Sequence, residues 1–300
     1  LNNLYVLFCA SSNTLELRQY IESICDGHSF IEQPVFDGEL AFNAAVKYSA
    51  NLKCASLAMA TEVVERVQVG SFSQQIDTFI VEKPKNLAAK IEQLFFDMDS
   101  TLIDMEVIVA LAEFAGSSKE VSDITERAMN GELNFAESLI HRVATLKGIP
   151  KSVIEQVKSS LPLNTGAELL AEFMQKNAIK GYILSGGFSY FTNVLVKKLN
   201  FVDSKANALV ISEEGTLTGE LEGEIVDAQT KADYVLVKTS TNSALHMVVG
   251  DGANDLKMME TTPYSVAYKA KPIVNKQARF AIKNTGLDAI IYLLKLINSN

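Results

Sequence analysis

Apolar positions recur along this chain in two rhythms, and the change between them divides it. Residues 4–10 (LYVLFCA) are a continuous apolar run of strand length, which predicts a buried strand. Leu17, Ile21 and Ile24 follow at helical spacing with Thr14 placed as an N-cap, so 15–25 is predicted to be helical. Residues 29–36 and 40–48 read as two strands joined by an Asp37-Gly38 turn, 53–69 as a second helix and 77–82 as a last strand. The order β-α-β-β-α-β is the ferredoxin-like pattern. It ends at Lys83-Pro84-Lys85-Asn86, which places a boundary near residue 85, between a first domain over 1–85 and a second over 86–300.

Beyond that linker, strands alternate with helices. A short apolar run through Phe95-Phe96 stops at Asp97, and further strands are predicted at 181–184, 209–211, 246–249 and 264–267, with helices at 169–175 and 193–199. That alternation predicts an α/β domain, a Rossmann-like parallel sheet covered by helices on both faces, with ligands at the carboxyl ends of its strands. The stretch at about 105–162 is helical with no convincing strand and follows the first core strand directly, so it reads as a helical cap over the strand ends. Residues 217–226 (LTGELEGEIV) read as a small hairpin flap.

Composition narrows the partners. A formal net charge of −9 argues against nucleic acid, which is bound by clustered Lys and Arg. No apolar run approaches the roughly 18 residues of a membrane span, and residues 4–10 lack the basic flank of a signal peptide. The three cysteines, Cys9, Cys25 and Cys54, form no C-x-x-C pair and read as free thiols of a cytoplasmic protein. His28, His141 and His246 lie too far apart to suggest a zinc site.

Four motifs carry candidate chemistry. Asp97-Met98-Asp99-Ser100-Thr101 puts two carboxylates at a strand end, one able to attack phosphorus and the other able to protonate a leaving alkoxide. Ser185-Gly186-Gly187 offers a hydroxyl and free backbone N–H groups after a strand, an anion cradle. Lys231 offers a point charge for a phosphoryl oxygen. Gly250-Asp251-Gly252-Ala253-Asn254-Asp255 supplies carboxylates of the kind Mg²⁺ uses. Each has an ordinary reading when taken alone: a solvated Asp pair, a glycine-rich turn, an exposed helix lysine, a plain loop. Their joint order after successive strands is what sets those readings aside.

The set D-x-D-x-T, Ser-Gly, Lys and G-D-x-x-N-D resembles the haloacid dehalogenase-like phosphatases, and among them the phosphoserine phosphatase family, over about residues 90–295. The resemblance implies Asp97 as nucleophile, Asp99 as general acid and base, and a Mg²⁺ held by Asp97, the backbone carbonyl of Asp99 and Asp251, with Asp255 behind them. It implies Ser185, Gly186 and Lys231 on the phosphoryl oxygens, Asn254 beside the substrate and the ion's waters, and Glu106, Phe135 and Arg142 on the amino-acid part. Without it, Glu106 and Arg142 are solvated helix charges and Phe135 a cap-core aromatic. The implied reaction is Mg²⁺-dependent hydrolysis of O-phospho-L-serine, the last step of serine biosynthesis. Alternatives are another small phosphomonoester, transfer of the phosphoryl group to an alcohol, or a non-catalytic amino-acid sensor. By strand order alone, residues 1–85 resemble the ACT-type domains, which implies amino-acid binding or assembly into a homodimer.

Overall fold

A computed structural model of the chain describes residues 4–25, 28, 30–33, 44–86, 88–129, 132–240 and 244–299. The first unit runs β1 (Leu4–Ala10), α1 (Leu15–Ile24), β2 (Phe30–Glu32), β3 (Tyr48–Lys53), α2 (Leu57–Val69) and β4 (Ile76–Glu82). Its four strands pair antiparallel in the order β2-β3-β1-β4, the ferredoxin-like arrangement. The Thr14 side chain accepts the Leu17 N–H at 3.2 Å and so starts α1. Ser56 does the same for α2 through the Met59 N–H, which is why that helix begins at Leu57 and not at 53.

The third strand departs from expectation. It was expected over 40–48, yet β3 begins at Tyr48, and residues 44–47 are not in a strand. Both faces of β3 are covered. Tyr48, Ala50 and Leu52 pack with Val6, Phe8 and Ala10 against α1 and α2. Ser49 and Asn51, opposite Cys9 and Leu7, are buried on the other face, although the apolar–polar alternation of residues 48–53 is that of a strand with one solvated face. The Asp37-Gly38 turn lies outside the described residues.

The second unit runs β5 (Ile91–Phe96), α3 (Val107–Ala115), α4 (Ser118–Met129), α5 (Phe135–Ala144), α6 (Lys151–Ser159), α7 (Ala167–Lys176), β6 (Lys180–Phe188), α8 (Ser189–Lys198), β7 (Asp203–Ile211), β8 (Leu217–Glu222), α9 (Ala228–Thr239), β9 (Leu245–Gly250), α10 (Leu256–Met259), β10 (Ser265–Tyr268), α11 (Pro272–Gln277), β11 (Phe280–Ile282) and α12 (Ala289–Asn298). The sheet order is β11-β10-β9-β5-β6-β7-β8, parallel except for β8, which turns back antiparallel on β7. The expected flap is therefore the second arm of a hairpin whose first arm is the end of β7. The β8 arm also holds the cap, with paired bonds of 2.8 Å between Leu217 and the backbone of Gly148 and Ile149.

Helices α3 to α6 form the cap, and nothing in them pairs as a strand ladder. β5 and β9, side by side at the sheet's centre, end at Asp97 and Asp251. β6 loses register between Leu184 and Phe188, and this irregularity frees Ser185-Gly186-Gly187 from the ladder.

The two sheets share one apolar core. Leu7, Cys9, Phe79 and Val81 belong to the same buried cluster as Ile290, Leu293 and Leu294 of α12. The joint is also polar: buried Asp77 accepts the N–H groups of Lys283, Asn284 and Thr285 and the Thr285 hydroxyl at 2.6 Å.

Candidate active site

The strand ends put the two acidic motifs against each other under the cap. The Asp97 N–H donates to the Val249 carbonyl at 2.9 Å, so strand pairing itself fixes where the carboxylate leaves the sheet. Its Oδ1 accepts the Met98 N–H at 2.7 Å and the Lys231 ammonium at 2.9 Å. Lys231 is fully buried and also donates to Asp255 Oδ1 at 2.8 Å. Burial by itself disfavours its charged form. The flanking Asp255 and Asp97 carboxylates more than reverse this and hold the ammonium above its usual range.

Asp255 is saturated in place. Its Oδ2 accepts the N–H groups of Asp251 and Gly252 at 3.1 and 3.0 Å, and Thr101 donates to Asp251 Oδ1 at 3.1 Å. Asp97 and Asp251 each keep one carboxylate oxygen with no hydrogen bond among the described residues. Carboxylate oxygens of Asp97, Asp251 and Asp255 lie within 4.8 Å of one another, and Lys231 sets one positive charge against the three. This donor set fits a divalent cation bound directly by Asp97 and Asp251, with Asp255 behind them.

Asp99 is held differently. Its Oδ1 accepts the Val107 N–H at 2.8 Å and its Oδ2 lies 3.4 Å from the Ser185 hydroxyl. Burial, followed by the negative charge of Glu106, pushes this carboxyl up to about 7. It can therefore carry a proton at neutral pH and give it up again. Burial and the charge of Asp255 raise Asp251 to about 6, and the same two causes put Asp97 well above the ordinary carboxylate range. Ionisation of Asp97 at neutral pH thus depends on a cation that opposes that shift.

These shifts set a sign. Between pH 4 and 7 the metal-free folded state keeps protons that the unfolded chain, with carboxyls near about 4, has released. Its stability therefore falls as pH rises through that window, whereas a bound cation replaces the protons. Thermal melts in excess divalent cation and in EDTA should diverge as pH goes from about 5 to about 7. A gap that narrows over that range would contradict this charge balance.

The cavity above the cluster measures about 480 Å³, and Asp97, Asp99, Glu106, Phe135, Arg142, Gly186, Asp251 and Asn254 all line it. Ser185 and Lys231 lie just beneath, bonded to Asp99 and Asp97, so every site residue expected from the sequence comes to one place. Arg142 is largely buried. Burial lowers its guanidinium, while Glu106 and Asp99 act in the opposite sense. Two glycines are needed for space. A Cβ on Gly187 would stand 2.5 Å from Asp99 Oδ2, and one on Gly186 would stand 2.9 Å from the ring of Phe135, where the cap meets the cradle. Thr101 and Lys271 also belong to the site and had been given no role there. Thr101 was visible in the motif, but Lys271 carried no signal. A larger groove of about 760 Å³ lies by the linker, along Lys83, Tyr264 and Arg279, and contains no comparable cluster.

Residues 91–261 match the family model of the haloacid dehalogenase-like hydrolases. A phosphoserine phosphatase of Haemophilus influenzae is 44% identical over 67% of this chain, which spans 65% of that relative's length. One of Saccharomyces cerevisiae is 34% identical over 85% of this chain and 86% of its own. The unliganded crystal structure of a probable phosphoserine phosphatase from Vibrio cholerae superposes with a TM-score of 0.77, at 28% identity over 98% of this chain and 87% of that one.

Proposed function

The chain belongs to the haloacid dehalogenase-like hydrolases, and from that premise we propose that it hydrolyses O-phospho-L-serine to L-serine and phosphate, with Asp97 as the covalent nucleophile and Mg²⁺ as the cation. The observation that carries the substrate is the placing of opposite charges. Glu106, beside the nucleophile loop, and Arg142, on the cap, face the same cavity as Asp97. An ammonium and a carboxylate on one small phosphate ester match them.

The free oxygen of Asp97 attacks phosphorus in line, and the bond from phosphorus to the serine oxygen breaks. Asp99 gives its proton to that oxygen, so serine leaves as an alcohol. Water then gives a proton to Asp99 as it attacks the aspartyl-phosphate, releasing phosphate and restoring both carboxyls. General acid catalysis of this kind contributes roughly 10²–10⁴-fold. Bound Mg²⁺ supplies positive charge to the nucleophile and the phosphoryl group. Lys231, Ser185 and the Gly186 N–H are the partners of the phosphoryl oxygens, with Asn254 beside them. Phe135 packs on the cradle, beside the amino-acid part of the substrate. A competent residue at every one of these positions speaks against a non-catalytic sensor.

For the first 85 residues or so, we propose an ACT-like unit that binds an amino acid or mediates dimerisation. One face of its sheet packs its own core against α1 and α2, while the other packs on α12. Among the described residues no helix is long and apolar enough to cross a membrane.

The test is phosphate release from a panel of esters. Phosphoserine should be turned over with Mg²⁺ and not in EDTA. Arg142→Ala should raise KM for phosphoserine by about 10-fold or more and leave p-nitrophenyl phosphate nearly unaffected. Equal loss on both esters would remove Arg142 from substrate recognition.

A further inference from the structure

We propose that Ser100 is a positioning residue for amine recognition: its hydroxyl fixes the Glu106 carboxylate in the cavity and so sets the preference for substrates that carry an ammonium. Two independent observations carry this. Ser100 has φ +56°, the left-handed region that glycine enters freely and a serine only with strain. Its hydroxyl lies 2.8 Å from Glu106 Oε1 and donates to it. A glycine would make the same turn more easily but would leave Glu106 without this bond.

The loop around it is closed in register. The Ser100 N–H donates to the Met105 carbonyl at 3.2 Å, and the Val107 N–H donates to Asp99 Oδ1 at 2.8 Å. Asn164 anchors the outer side through the Thr101 carbonyl at 2.9 Å. The backbone turn therefore has its own supports and does not need the Ser100 hydroxyl. Glu106 does need it. It is exposed, stands at the N-cap of α3 without capping that helix, and makes no ion pair among the described residues. A long exposed carboxylate with one restraint samples many rotamers once the restraint is removed. Because Asp99 and Ser100 are adjacent, these two bonds tie the proton donor and the amine acceptor to one short loop.

The inference rests on the reading of Glu106 as the ammonium's partner, and its test separates the two. Phosphoserine is compared with 3-phosphooxypropionate, the same ester without the amine, in wild type, Ser100→Ala, Ser100→Gly and Glu106→Gln. Both Ser100 variants should lower the ratio of kcat/KM for the aminated over the amine-free ester by about tenfold, through KM. Ser100→Ala should add nothing in the Glu106→Gln background. Ser100→Gly should melt no lower than Ser100→Ala, since it relieves the positive φ. A purely backbone role makes the opposite prediction: Ser100→Gly would keep wild-type selectivity, and that result overturns the inference. Wild type without any preference for the aminated ester would overturn the functional reading instead. A crystal structure of Ser100→Gly needs no substrate. Glu106 should leave its place beside residue 100, and a Glu106 that stays put overturns the inference whatever the substrate is.

Discussion

Asp97→Asn is expected to lower kcat for phosphoserine by at least about 10⁴-fold while leaving the protein folded, because an amide cannot form the aspartyl-phosphate. The substitution is nearly isosteric. The amide oxygen can keep both bonds that Oδ1 now accepts, from the Met98 N–H and from Lys231, and the Val249 pairing is backbone and unaffected. One member of a crowded acidic cluster becomes neutral. The melting midpoint in EDTA at pH 7 should therefore hold or rise, since the like charges of Asp255 and Asp251 no longer oppose a third. Phosphate release and a thermal melt on the same preparation check both halves. Residual turnover within about tenfold of wild type would move the nucleophile elsewhere.

The parts of this site that local sequence could disclose were those set by strand ends. Asp97 and Asp251 follow apolar runs, and each run becomes one of two adjacent central strands. Lys231 shows what was not legible by itself. Its neighbours Gln229, Thr230 and Asp233 are those of a solvated helix, yet its side chain is buried, because α9 lies against the turn that carries Asp255. Such burial is a tertiary fact with no periodic trace. β3 hid a related fact: Tyr48, Ala50 and Leu52 alternate with Ser49 and Asn51 as in a strand with one solvated face, yet Ser49 and Asn51 are buried at the joint between the two sheets. Lys271 lines the cavity with its backbone N–H bonded to the Asp251 carbonyl, a contact between loops distant in sequence.

The second large effect is expected at Lys231. Lys231→Met keeps much of the side-chain volume and removes the charge, leaving Asp97 and Asp255 buried without their shared cation. Breaking a buried pair on one side costs about 3–5 kcal/mol, because the remaining charges are uncompensated. The loss should therefore follow the charge state of the carboxylates. At neutral pH in EDTA the variant should melt far below wild type. Near pH 5 protonation of the cluster should recover much of the difference, since burial already raises Asp97 and Asp251. Mg²⁺ should recover part of it at neutral pH by supplying the missing positive charge. Turnover should still fall by about 10²–10³-fold, since the loss of one preorganised donor to a phosphoryl oxygen is not repaired by folding. A deficit in melting midpoint that is the same at both pH values would mean that Lys231 stabilises by packing alone, and that some other group balances the three carboxylates under the cavity.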